Sequence, residues 1–186
     1  MNADYLNQQF LIAMPMLKDS HFEQSVTLLC EHNDEGAMGI VINRPSEVAL
    51  SELLDHLGYP VHDAEIGGHS VYLGGPVRRD HGFVLHDGET RWPGATPIAE
   101  GINLTTSRDI LRDIARGEGP VNFLVALGYA GWGAGQLENE ITENAWLNAP
   151  LDGRVLFELP YEQRWHAAAG LAGVDISRLA PHSGHA

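Results

Sequence analysis

Apolar positions come in short blocks along the chain, and the spacing inside each block predicts the element. Gln8–Met14 (QQFLIAM) is a brief apolar run ended by Pro15, which predicts a strand entering the core. Val26–His32 and Gly39–Asn43 (GIVIN) are β-rich runs, and Asn33-Asp34-Glu35-Gly36 between them has the residues of a tight turn. The pair therefore predicts a hairpin. Leu50, Leu53, Leu54 and Leu57 fall at i, i+3, i+4 and i+7, an amphipathic helix stopped by Gly58. Val71–Leu73, Phe83–His86 and Ile102–Leu104 predict short strands. Thr106 and Ser107 offer N-caps for a helix running to Arg116 and closed by Gly117.

Val121–Leu127 (VNFLVAL) is almost wholly apolar, the pattern of a strand buried on both faces. Across Gly131–Glu143, Ala134, Leu137 and Ile141 share one helical face. Val155–Leu159 predicts a strand and Tyr161–Leu171 a helix. Met16–Ser25 is a polar connection whose Ser20…Glu23 spacing fits a capping box and one helical turn. Val61–Ser70 and Asp87–Pro97 predict loops, and the polar tail from Pro181 a loose end. Strands cluster early and helices late, with some strand–helix–strand units. The expected class is a mixed α+β arrangement in one domain over residues 1–186, rather than a doubly wound parallel sheet.

Composition narrows the function classes. Hydrophobic residues make up 44% of the 186, enough to bury a core. Eleven Lys+Arg against 25 Asp+Glu leave a net charge of −14, a field that repels phosphate backbones and disfavours direct nucleic-acid binding. No run approaches the roughly 18 apolar residues of a membrane span, and the first residues lack the pattern of a signal peptide. The expectation is a cytoplasmic protein with a reduced Cys30, the single cysteine, and no membrane association. One cysteine and scattered histidines make no four-ligand set, so no metal and no cofactor are expected.

Several residues carry candidate chemistry, each beside a structural reading. Cys30 and His32 are two apart on a predicted strand, which puts both on one face with Glu31 on the other. They make either a thiol–imidazole pair or, the favoured reading, a buried cysteine and a polar strand end. Asn43 and Arg44 end a strand, where Arg44 can hold an anion or make a structural ion pair. Leu127–Gly133 (LGYAGWG) reads as a buried strand running into glycines and then a helix, a layout in which free N–H groups bind anions. Its order is not the dinucleotide fingerprint, and the glycines equally serve to pack Tyr129 and Trp132. Gln136, Glu138, Glu140 and Glu143 supply paired carboxylates or a solvated acidic face. Arg108, Arg112 and Arg116 recur every four residues, a basic stripe in an acidic chain, partly neutralised by Asp109 and Asp113. Ser107 lacks a nucleophile-elbow context.

In order and combination these segments resemble the bacterial YqgE/AlgH family. The resemblance runs through FLIAMP (Phe10–Pro15), CEH (Cys30–His32), GAMGIVINRP (Gly36–Pro45), GGPV (Gly74–Val77) and RDHGFVLH (Arg79–His86). It continues through LTTSRDIL (Leu104–Leu111), LGYAGWGAGQLENEI (Leu127–Ile141), NAWL (Asn144–Leu147), LF (Leu156–Phe157), RW (Arg164–Trp165) and GHA (Gly184–Ala186). The resemblance implies one α/β domain with a curved, mixed, partly barrel-like sheet and helices packed around it. It carries no established activity and no catalytic residues. Some members are described as regulators of transcription. At a charge of −14 and without a recognisable helix-turn-helix, such a role here implies a protein partner rather than contact with DNA.

Two functions follow. The first is a non-catalytic regulatory or protein-interaction protein. The second is a small-molecule binding protein, or an enzyme, with an anion-binding cleft bordered by Asn43, Arg44, His86, Gly128, Tyr129, Gly131 and Gly133. A pocket of converging polar groups favours the second and a flat apolar patch the first.

Overall fold

The computed structural model describes residues 5–179; the tail from Pro181, including Gly184–Ala186, lies outside the described residues. The strands are β1 (Gln9–Ala13), β2 (Val26–Asn33), β3 (Gly36–Val41), β4 (Pro45–Ala49), β5 (Ser70–Leu73), β6 (Val77–Asp87), β7 (Ala95–Ala99), β8 (Ile102–Thr105), β9 (Phe123–Gly133) and β10 (Trp146–Pro150). The α-helices are α1 (Leu50–His56), α2 (Ala64–Gly67), α3 (Arg108–Ala115), α4 (Gln136–Thr142) and α5 (Tyr161–Leu171). The class is mixed α+β, as the order of patterns predicts. The chain forms two compact units, Met1–Asn43 with Ala130–Ala186, and Arg44–Tyr129.

In the first unit the sheet order is β10-β1-β2-β3 followed by the Ala130–Gly133 end of β9, antiparallel throughout. The expected hairpin is β2–β3, closed with Asn33 opposite Gly36. Gly36 has φ +139°, and a Cβ there would sit 2.2 Å from the Trp132 carbonyl oxygen, so only glycine fits. Leu11, Leu29, Leu137, Trp132 and Trp146 form the core, with Phe22 packed against it. The three large rings meet at centroid distances of 5.6–6.0 Å. Arg164 on α5 is buried, and its guanidinium donates to the carbonyls of Ile42 and Leu159, which offsets the cost of taking that charge out of water.

In the second unit the order is β4-β5-β9-β6-β8-β7, with β5–β9 parallel and the other pairs antiparallel. Leu50 and Leu54 of α1, Ile110, Leu111 and Ile114 of α3, and Val71, Val84, Trp92 and Val125 make its core. The leucine spacing that predicts α1 is thus the spacing that buries it.

Three expectations need correction. Gly131 and Gly133 are not the start of a helix: β9 runs through Gly133, and α4 begins at Gln136. The backbone there pairs with β3, with Gly131 opposite Met38 and Gly133 opposite Gly36. The Gly133 N–H is not left open as at a helix start: it donates to Gln136 Oε1 at 3.0 Å. Val155–Leu159 is not a strand but falls within a single π-helical turn at Arg154–Glu158 and its end. Val61–Ser70 is not wholly loop: Asp63 caps α2 by accepting from the N–H groups of Glu65 and Ile66.

Candidate functional site

The arginine stripe of α3 is where side-chain chemistry converges. Ile110, Leu111 and Ile114 bury one face of the helix, and the four-residue spacing sets Arg108, Arg112 and Arg116 on an adjoining face. Gly117, at φ +76°, ends the helix in a left-handed turn, with Gly117 N–H donating to Ile114 O and Glu118 N–H to Asp113 O at 2.8 Å. The chain then folds back tightly: a Cβ on Gly119 would lie 2.7 Å from the Ile114 side chain. Across from this turn, α1 stops at Gly58, φ +84°, and Tyr59-Pro60 leads to the Asp63 cap of α2.

Between these two turns lies a cavity of about 640 Å³, within the size range of small-molecule sites. Its polar lining comprises Arg112 from α3 and Arg116 at its C-cap, with Tyr59, His62 and Asp63 opposite. Asp113 holds Arg112 in place: one carboxylate oxygen accepts from the Trp92 indole at 2.9 Å, and the other lies 3.6 Å from Arg112 Nε. That Nε is buried and makes no hydrogen bond among the described residues, the Asp113 carboxylate standing beside it as an ion-pair partner. Asp63 is engaged in its cap, and Arg112 is flanked by Asp109 and Asp113, so Arg116, which makes no ion pair among the described residues, is the cation that the α3 side offers to the cleft. The arrangement suits an anion: a planar guanidinium fork and a second arginine, with a phenol and an imidazole as further polar groups.

The residues first expected to border a cleft fall elsewhere. Asn43 belongs to the first unit, where its side chain ties two segments, accepting from Val26 N–H and donating to Gln24 O, each at 2.9 Å. The Arg44 carbonyl accepts from Leu73 N–H at 2.8 Å. His86 is fully buried; Nδ1–H donates to Asp87 O at 2.9 Å, and Nε2 accepts from the Thr105 hydroxyl at 2.7 Å. Burial pushes its pKa below the ordinary 6.5 against the opposing pull of Asp87, so it is held neutral in one tautomer. Gly128 is a bend inside β9, and Tyr129 packs edge-on against Phe83 at 5.8 Å. Gly131 and Gly133 are exposed strand positions of the first unit. None of these seven residues lines the arginine cavity.

Other candidate groups have structural partners. The Cys30 thiol donates to Leu28 O at 3.6 Å, and burial, then the nearby Glu31 charge, push its pKa up to about 12. His32 is buried; its Nδ1 accepts from Leu6 N–H, and its Nε2–H donates to Glu138. Glu140 accepts from the indoles of Trp132 and Trp146 and from the Gln136 amide. The acidic helix is therefore a set of clips. Sequence reasoning found the arginines and missed Tyr59 and His62; the Gly58-Tyr59-Pro60 stop and the Asp63 cap were the available signals.

A profile of the AlgH-like family matches residues 10–177. A UPF0301 protein of Methylococcus capsulatus is 54% identical over 183 residues, 98% of this chain and 97% of that one. Another from Thioalkalivibrio sulfidiphilus is 55% identical over 185 residues, 100% and 98% of the two chains. The solution structure of the AlgH protein from Pseudomonas aeruginosa superposes with a TM-score of 0.78 at 46% identity, over 100% of this chain and 98% of that one. A crystal structure from Corynebacterium diphtheriae, 18% identical, shares the fold at a TM-score of 0.75 over 97% and 94% of the two chains. With matches that span nearly its whole length, the chain belongs to the AlgH-like family.

Proposed function

We propose that this chain is a non-catalytic regulatory protein that binds a small anionic ligand in the Arg112–Arg116 cleft. The observation that carries this reading is the convergence of two stripe arginines with Tyr59 and His62 on one cavity of about 640 Å³. The anionic class expected from sequence is kept, and its place moves from the Arg44 region to the end of α3. A net charge of −14 does not oppose this. At physiological salt, charges more than about 8 Å away are largely screened, so a small ligand responds to the local arginines while a long polyanion meets the whole acidic surface. The regulatory output in this reading passes through a protein partner, in the bacterial cytoplasm.

Calorimetry with inorganic pyrophosphate tests it. Binding is expected in the wild type and should weaken about tenfold or more in Arg116→Ala, the loss of a charge-assisted hydrogen bond. Undetectable binding at millimolar pyrophosphate, or equal affinity in the variant, would refute the site.

A further inference from the structure

Arg108, the stripe residue that does not line the first cleft, borders a second cavity of about 370 Å³ in the same unit. Its walls are of a different kind. Leu53 of α1 and Leu57 just after it, Phe83 and Val84 of β6, Leu111 of α3 and Leu127 of β9 give it an apolar lining. Thr106, Ser107 and Arg108, where α3 begins, form one polar edge, and Asp80 and His81 another.

The polar groups are unequally engaged. Asp80 and His81 are paired at 3.1 Å, and the Asp80 side chain is 85% exposed, turned to water. Arg108 makes no ion pair among the described residues, whereas Arg112 has two aspartates beside it. Ser107 sits at the N-cap of α3 without capping it, and its buried Oγ has no hydrogen-bond partner among the described residues. A hydroxyl at an N-cap ordinarily accepts from the first turn, and an unpaired buried one is costly.

We infer that this second cavity binds a small aliphatic carboxylate, its alkyl chain against Leu53, Leu57, Phe83, Leu111 and Leu127 and its carboxylate on Arg108. The apolar wall rewards burial of the chain at about 25 cal/mol per Å² and gives nothing to a bare phosphate. The carboxylate accepts from the guanidinium and supplies the acceptor that the Ser107 hydroxyl lacks. An alkylammonium would face Arg108 with a like charge, and a neutral chain would leave both groups unserved. The site is separate from the Arg112–Arg116 cleft and does not depend on it.

Octanoate below its micelle concentration is the probe, read by two-dimensional amide NMR on the full chain, with octanol, octylamine and acetate as controls. Saturable shifts are expected at Gly82, Phe83, Thr106–Arg108 and Leu127, with octanoate binding at least about tenfold tighter than any control. Arg108→Ala should remove most of that preference, and Arg116→Ala should leave it unchanged. Gly82 lines the cavity, and a Cβ built on it meets no atom within 4 Å. Gly82→Leu is therefore sterically admitted and should block the chain. If that variant does not fold, Arg108→Ala alone decides. Octanol binding as tightly as octanoate, shifts confined to the Arg112–Arg116 cleft, absence of octanoate binding, or full binding in a folded Gly82→Leu protein would each overturn the proposal.

Discussion

Cys30 illustrates what a single residue discloses in sequence and what it hides. A cysteine two positions before a histidine on a strand invites a catalytic pairing. The β2–β3 register slips between Leu29 and Glu31, so a bulge at Cys30 breaks the strict alternation on which that pairing rests. Bulges follow from the partner strand and are not legible in one strand's sequence. With the thiol pushed up to about 12 by burial, thiolate is scarce at neutral pH. Iodoacetamide at pH 8 should label Cys30 far more slowly in the folded protein than in urea; equal rates would show a reactive thiol. Trp132 behaves as its apolar context predicts. It is 6% exposed, ringed by Phe22 and Trp146, and bonded to Glu140. Trp132→Ala should cost about 3–5 kcal/mol in urea denaturation. An unchanged midpoint would place the ring outside the core.

Among the elements, the periodic helices and the β2–β3 hairpin with its turn residues were legible, and short segments without a period or turn signal of their own were not. The leucine spacing of α1 and the span of α5 follow from side-chain pattern and flanking Gly and Pro. The misread pieces, Gly131–Gly133 and Val155–Leu159, are short segments whose state depends on what lies beside them. In β9, Gly128 takes φ +79°, and a Cβ there would lie 2.4 Å from Gly75 O. Gly128→Ala should therefore destabilise the fold by more than the roughly 1–2 kcal/mol of left-handed strain alone, measured by thermal or urea unfolding. Between β6 and β8, His86 stays neutral because burial lowers its pKa from 6.5. The unfolded chain takes up that proton first, so the associated stability is full above about pH 6.5 and is lost as pH falls below it. His69, also lowered by burial, acts in the same direction. Melting temperature should fall from pH 7.5 to 5.5, less steeply in His86→Gln; a melting temperature independent of pH in this range would contradict the assignment.

For the molecule as a whole, charge and the cavities of the second unit decide between functions. The isolated protein should bind duplex DNA weakly or undetectably at physiological salt. A few arginines release few counterions, each phosphate contact adding about 0.9 to the salt slope; sub-micromolar, sequence-selective binding would overturn this. The mixed α+β class was legible because strand and helix patterns are local. The site was half legible: the arginines stood out as a periodic stripe, but Tyr59 and His62 join them only through the turns after α1 and α3. No sequence spacing reports that approach.

The most direct test of the central claim maps the position of a bound anion. Amide and arginine side-chain NMR spectra are recorded while inorganic pyrophosphate is titrated into the full chain. The account predicts saturable shifts at Gly58–Asp63 and Ala115–Gly117 and on the Arg112 and Arg116 guanidinium signals, with Asn43, Arg44 and Gly128–Gly133 unmoved. Shifts centred on Asn43, Arg44 and Gly128–Gly133, or none at saturating ligand, would contradict it.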